Sequence, residues 1–248
     1  MTLSKNAQAV IAAYESLSIG GKTIRCPYFN NKKSGSRAAL RATVGKGTPE
    51  DIAQEAQIIA LREKKDLAQM DEQAIRAFLV DHNLGIECSG FVFHVLSAQL
   101  KSKGSSLKKK LSFSSKSLVR KCLAFWRTVE NTNVKVLADN ENSHDIALAN
   151  AEPGDMVIML GTGSSHDLDH VLLITEVTDT IISYAHALNW KSDGEYNHGI
   201  RRGTIEIKKP AGTLLDQTWT ESGESSEKNE TLWRAKTANT LAIKRLRI

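Results

Sequence analysis

Hydrophobic residues in the first half of the chain recur every three or four positions, which is the spacing of amphipathic helices. Val10, Ile11 and Tyr14, for example, fall on one helical face. Thr48 is suited to cap the helix predicted over residues 48–65. The basic segment 22–47 contains three glycines and is expected to be a loop. The helices predicted from this spacing cover residues 4–17, 48–65, 71–82, 88–100 and 118–126.

The hydrophobic pattern changes to short segments rich in β-branched residues after residue 153. Turn-forming residues separate these segments, which is typical of an antiparallel sheet. Segments 214–221 and 241–246 are expected to add edge strands. A run of helices followed by a run of strands predicts an α+β fold. The four main strands are predicted over residues 156–160, 170–177, 181–188 and 200–207.

Composition narrows the class of protein. The 248 residues are 41% hydrophobic and 25% charged, as in globular proteins. The longest apolar stretches, such as Met156 to Leu160, are too short to span a bilayer. No signal peptide is recognisable, so we expect a protein that is cytoplasmic as encoded or is exported by a route that needs no signal peptide. Cys26, Cys88 and Cys122 lack the spacing of a zinc site or a disulfide framework and are expected to be free thiols.

Positive charge is concentrated in one segment of the chain. Residues 101–121 hold eight Lys or Arg and no acid, within a net charge of +5. A solvated basic face is the simplest interpretation of this run, and an anionic polymer such as a glycan strand or a nucleic acid is the alternative. Phe113 is the one aromatic residue in the run, so a stacking surface for nucleic-acid bases is not expected.

Candidate chemistry centres on Cys88, which lies where a loop meets a predicted helix. Unpaired N–H groups and the helix dipole favour a thiolate at such a position. If residues 178–180 form a hairpin loop, paired positions in the two following strands sum to 358. His170 and His186 then share one face as diagonal neighbours, close enough for one imidazole to orient the other. The helix that carries Cys88 is expected to lay the sulfur over these histidines.

These segments resemble the NlpC family of papain-like cell-wall peptidases. The matching pieces are Glu87-Cys88-Ser89-Gly90-Phe91-Val92, Pro153-Gly154-Asp155, His170-Val171, His186-Ala187 and the upstream Pro27-Tyr28 pair. The resemblance covers roughly residues 14–207 and implies a papain-like fold with the helical half packed on the sheet, in a single domain of residues 1–248. It also implies a helical insertion at about 48–82 and a C-terminal extension at about 210–248.

The same resemblance implies roles for individual residues. Cys88 is the expected nucleophile, His170 the general base and His186 the residue that orients it. Tyr28, Ser89 and the Cys88 backbone N–H are expected near the oxyanion or the substrate. The implied activity is that of a thiol peptidase or amidase, a hydrolase acting on stem peptides of peptidoglycan without a cofactor.

Other interpretations of these residues stay open. The His166 to His170 segment contains two histidines and two aspartates, but its spacing is not that of a zinc site, so no metal is expected. A transferase or an inactive protein with the same fold is one alternative function. Binding of a polyanion or nucleic acid through residues 101–121 is the other.

Overall fold

The helices of the first half begin at the capping residues that the sequence provides. The computed structural model describes residues 1–30, 40–114 and 123–247. The Ser4 hydroxyl accepts a hydrogen bond from the Ala7 N–H, and Thr48 forms a reciprocal capping box with Asp51. The predicted helices are confirmed within these residues as α1 (Lys5–Glu15), α2 (Pro49–Arg62), α3 (Glu72–Asp81) and α4 (Cys88–Lys101).

Part of the segment expected to be a loop forms a hairpin. Strands β1 (Leu17–Ile19) and β2 (Lys22–Ile24) pair in antiparallel fashion around Gly20 and Gly21, both of which have positive φ. Helix α1 therefore ends before Leu17, which pairs with Ile24 instead. A β-carbon at Gly20 would lie 2.3 Å from the Leu67 carbonyl oxygen, so glycine is needed at this turn.

The remaining named helices are short: three precede the strands of the large sheet along the chain, and one lies between the last two of these strands. Residues 123–126 are helical, and Cys122 with the rest of the predicted 118–126 helix lies outside the described residues. The shorter named helices are α5 (Leu107–Lys110), α6 (Thr128–Asn131), α7 (Val134–Ala138) and α8 (Glu230–Thr237).

An eight-stranded antiparallel sheet forms the second half of the molecule, so the predicted α+β class is confirmed. Its spatial order is β3-β10-β4-β5-β6-β7-β8-β9. The strands are β3 (Ser143–Ile146), β4 (Met156–Thr162), β5 (Leu168–Val177), β6 (Ile181–Leu188), β7 (Gly199–Glu206), β8 (Thr218–Glu221), β9 (Glu224–Ser225) and β10 (Thr240–Leu246).

The C-terminal segment is integrated into this sheet. Strand β10 lies between β3 and β4, so the expectation that residues 241–246 form an edge strand is wrong. The outer position belongs to β3, whose polar sequence Ser-His-Asp-Ile gave no strand signal. Strand β8 is likewise covered on its outer side by β9.

The sheet separates two hydrophobic clusters. Val171, Leu173 and Ala185 belong to the cluster that includes the buried face of α4. Leu172, Ile174 and Tyr184 belong to the opposite cluster, which includes Leu232 and Ala235 of α8. Alternate residues of β5 and β6 therefore face different layers, as strand geometry requires. Within the described residues, no helix is long and apolar enough to cross a membrane.

The β5–β6 pairing changes register once. Leu173 pairs with Ala185 and Ile174 with Tyr184, which is the predicted sum of 358. Nearer the turn, Val177 pairs with Ile182 instead of Ile181, because an irregularity lies between Ile174 and Glu176. The prediction is thus correct at the pairs closest to the histidines and wrong by one residue at the turn.

Candidate active site

Cys88 is the first residue of α4, at the start of the buried helix. The helix packs closely against the loop before α2, because a β-carbon at Gly90 would lie 2.6 Å from the Gly45 carbonyl oxygen. The thiol is buried, with 6% of the residue exposed. Backbone N–H groups of Val171 in β5 and of Ser89 interact with its sulfur. The sulfur therefore lies against the backbone of β5, one residue beyond His170.

The thiol is not activated as the helix dipole alone suggested. Burial and the nearby Glu87 carboxylate raise the pKa of Cys88 to about 12, and the Lys46 ammonium and the two N–H groups offset this only in part. Burial also raises the pKa of Cys26, which is fully buried. Burial of Cys88 thus opposes the thiolate that the helix N-terminus favours.

Ser89 belongs to a buried polar network beside Cys88. Lys46 Nζ lies 2.6 Å from Glu87 Oε1 and donates to Ser89 Oγ at 2.8 Å. Ser89 Oγ in turn donates to Glu87 Oε1 at 2.5 Å and lies 3.2 Å from the Thr132 carbonyl oxygen. The Ser89 hydroxyl is thus occupied inside the protein, and the expected contact of this side chain with substrate is not supported.

Tyr28 is held beside Cys88 by backbone pairing. The Phe29 N–H donates to the Ile86 carbonyl and the Ile86 N–H donates to the Pro27 carbonyl, two residues before Cys88. The Tyr28 N–H also donates to His198 Nδ1 at 3.1 Å. Burial and the nearby Cys88 and Glu87 raise the pKa of Tyr28, so its hydroxyl is protonated and able to donate.

The two histidines form one hydrogen-bonded chain with an acid that sequence reasoning missed. His170 Nε2 lies 2.7 Å from His186 Nδ1, and His186 Nε2 lies 3.0 Å from Glu221 Oε2. All three residues are buried. Burial opposes ionisation of Glu221, but His186 and hydrogen bonds from His186, Tyr184 and Thr231 bring its pKa below the ordinary value. Glu221 is therefore a buried carboxylate at neutral pH.

A glycine allows a second donor to reach this carboxylate. Tyr184 pairs with Gly203 across β6 and β7, and Gly203 pairs with Glu221 across β7 and β8. A β-carbon at Gly203 would lie 2.3 Å from the Tyr184 ring, so the ring crosses β7 where no side chain obstructs it. The Tyr184 hydroxyl then donates to Glu221 Oε2 at 2.7 Å. Arg201 Nε lies 3.9 Å from the other carboxylate oxygen.

The cysteine and the histidines approach β5 from different sides. His170 pairs with Met159, which belongs to the layer of Leu172 and Tyr184, whereas Cys88 belongs to the layer of Val171. The expected placement of the sulfur over the face with both imidazoles is therefore wrong, because even-numbered positions of these strands point away from α4. Among the described residues, no hydrogen bond joins Cys88 to either histidine.

Two adjoining cavities meet at the start of β5. Cys88 lines a cavity of about 350 Å³, and His170 lines a cleft of about 590 Å³. Tyr28, Leu168 and Asp169 line both. Burial, His186 and Arg234 lower the pKa of His170 well below its ordinary value, so this imidazole is neutral at pH 7. Groups from both sides of β5 are thus accessible from one continuous region.

The basic run lies next to exposed aromatic residues. Lys108 Nζ lies 5.3 Å from the ring centre of Phe125 and 6.0 Å from that of Trp126. Trp126 is 75% exposed. A basic and aromatic surface therefore exists although Phe113 was the one aromatic residue expected near the run, and residues 115–121 of the run lie outside the described part of the chain.

Comparisons of the chain with protein-family models, with curated proteins and with solved structures found no match.

Proposed function

We propose that the protein is a papain-like cysteine hydrolase that cleaves an amide bond, with peptidoglycan stem peptides as the substrate suggested by the family resemblance. The observation that carries the proposal is the buried chain His170–His186–Glu221, with Cys88 against the same stretch of β5. Burying two imidazoles and a carboxylate is costly unless each is hydrogen-bonded. A base oriented by an acid and a thiol at a helix N-terminus are the groups that nucleophilic catalysis uses, and both are present at this strand.

The hydrogen bonds guide the assignment of protons along the chain. Glu221 can only accept, so His186 Nε2 carries a proton, and we assign His186 Nδ1 as the acceptor of the hydrogen bond with His170. His170 Nε2 then donates to His186, which leaves His170 Nδ1 unprotonated. Nδ1 is the ring nitrogen nearer the backbone, and the sulfur lies against that backbone at Val171. His170 Nδ1 is therefore the atom that we assign as general base.

The raised pKa of Cys88 determines how the reaction begins. A neutral thiol must lose its proton during attack, so His170 Nδ1 takes that proton as the sulfur bonds to the carbonyl carbon. Because the two groups lie on different sides of β5, this step requires the sulfur and His170 Nδ1 to meet around the start of the strand, at Leu168 and Asp169, which line both cavities. The Tyr28 hydroxyl and the Cys88 backbone N–H are assigned to the resulting oxyanion.

The remaining steps return the enzyme to its starting state. Collapse of the tetrahedral intermediate breaks the carbon–nitrogen bond, and His170 gives its proton to the leaving amine. Water, deprotonated by His170, then attacks the thioester and releases the carboxylic acid and the free thiol. Glu221, acting through His186, stabilises the imidazolium that forms in both halves of the cycle.

Mass spectrometry of soluble muropeptides and of digested purified walls after incubation with the protein tests this function. We expect one amide bond to be cleaved by the wild-type chain and by Cys26→Ala, and no cleavage by Cys88→Ala. Intact substrates with a folded wild-type protein, or equal cleavage by Cys88→Ala, would contradict the proposal.

A second candidate function is binding of an anionic polymer. Lys108 beside the exposed Phe125 and Trp126 combines positive charge with stacking surface. In our proposal this surface binds the polymer that the hydrolase acts on. If the chain proved to be inactive or a transferase, the surface would bind an anionic polymer without hydrolysis.

A further inference from the structure

The cleft beside His170 contains an arginine whose guanidinium has no ion-pair partner among the described residues. Arg234 of α8 lines this cleft together with Trp233 and His170. Its Nε is buried without an acceptor, and within the described residues no ion pair or hydrogen bond holds the guanidinium. A guanidinium without an acid beside it attracts anions, and its planar donors match a carboxylate.

The acids of the cleft already have partners. Asp169 accepts from the Gly161 N–H at 3.0 Å, and its other oxygen lies 3.8 Å from Lys135 Nζ. Glu230 accepts from the Lys191 N–H at 2.6 Å. None of these contacts involves the Arg234 guanidinium, which lies in the cleft next to the partly exposed ring of Trp233.

We propose that this cleft binds a carboxylate of the substrate at Arg234, which makes acidic peptides the preferred substrate class. The effect of this carboxylate on turnover rests on the proposed hydrolase function, whereas its binding at Arg234 does not. Arg234 is close enough to His170 to disfavour the imidazolium. A carboxylate bound to the guanidinium offsets that charge, so an acidic substrate favours proton uptake by the base as well as binding.

The test uses the full chain with Cys88→Ala, so that binding is measured without turnover. The probes are acetyl-Gly-Glu amide and acetyl-Gly-Gln amide, which differ in the carboxylate alone. We expect at least tenfold tighter binding of the acidic probe in an NMR titration at pH 7. Arg234→Met should reduce this preference below twofold, whereas Lys236→Met, which removes an exposed charge from the same helix, should preserve it.

Two results would overturn the proposal: equal binding of the two probes by the parent protein, or an unchanged preference in Arg234→Met. If Arg234→Met fails to fold, the Nε–H resonance of Arg234 in the Cys88→Ala protein tests the proposal instead. This resonance must shift on addition of the acidic probe and not on addition of the neutral one. Selective binding without cleavage of any stem peptide by the wild type would retain the anion site and reject the hydrolase.

Discussion

In the proposed mechanism, Cys88 is a nucleophile whose proton has to be removed during the reaction. Burial and the nearby Glu87 carboxylate raise the pKa of Cys88 to about 12. His170 is neutral, so it supplies no positive charge that would favour ionisation of the thiol. The free protein therefore lacks the thiolate–imidazolium pair that would make the thiol reactive at low pH.

This protonation state predicts how Cys88 reacts with iodoacetamide. In a Cys122→Ser background, the alkylation rate should rise about tenfold per pH unit between pH 7 and 9, because the thiolate fraction does so well below the pKa. Glu87→Gln should accelerate the reaction at pH 8, since it removes the carboxylate that opposes ionisation. Peptide mass spectrometry measures the rate, with fully buried Cys26 as the slower internal control. A rate that is already constant below pH 7 would contradict the assignment.

In the proposed mechanism, Glu221 is a positioning residue that acts through His186. Glu221→Gln keeps the shape but removes the charge that stabilises the imidazolium, so we expect kcat to fall by about 10²- to 10⁴-fold, as for a buried triad acid. Tyr184→Phe removes a different hydrogen bond from the same carboxylate and should cost less than about tenfold. Nitrogen-15 shifts of the two imidazoles should report altered protonation in Glu221→Gln alone. Equal losses in both variants with unchanged imidazole shifts would indicate a merely structural role.

At the scale of elements, local signals in the sequence defined the helices and the central strands. Thr48 and Asp51 cap α2 with their own side chains, so its start is encoded within four residues. His170 and His186 belong to one hairpin, and their separation follows from its register. Such contacts between neighbours in sequence are the ones that pattern analysis can recover.

Long-range contacts explain what the sequence did not reveal. Glu221 reaches His186 from β8, across β7 and 35 residues away, and no spacing rule connects the two positions. Strand β10 enters between β3 and β4 although it is the last strand of the chain. Side chains alternate along a strand, so the sequence predicts which residues share a face but not which face α4 covers. For this reason the prediction that α4 places Cys88 on the face of His170 is wrong.

The contact between β6 and β7 at Gly203 predicts an effect of added volume. Gly203→Ala places a methyl group where the Tyr184 ring lies, so we expect destabilisation of about 1–3 kcal/mol from overpacking. In a Tyr184→Ala background the same change should cost clearly less, because the obstructing ring is gone. Urea unfolding of the four proteins of this cycle measures the coupling. Additive free energies of unfolding would show that the ring is not what requires glycine.

On the scale of the whole molecule, the sheet connects two layers that contribute different parts of the site. The layer of α4 supplies the thiol, whereas the layer of α8 and β8 supplies Glu221 and Arg234. His170 and His186 lie in β5 and β6, between these layers. The segment at about 210–248, which the family resemblance implies to be an extension, thus completes the acid–base machinery that we propose.

The basic and aromatic surface belongs to neither layer of this site. We therefore expect changes on this surface to weaken binding to cell walls without affecting cleavage of a soluble peptide. Lys108→Glu with Lys109→Glu and Trp126→Ala should weaken pelleting with purified walls at least tenfold and leave cleavage of a soluble peptide within about twofold. The control reversal Lys208→Glu with Lys209→Glu removes the same charge elsewhere and should preserve wall binding. Loss of cleavage along with binding would place this surface in the active cleft. Steeply salt-dependent binding of nucleic acid, without hydrolysis of any stem peptide, would favour the polyanion-binding function instead.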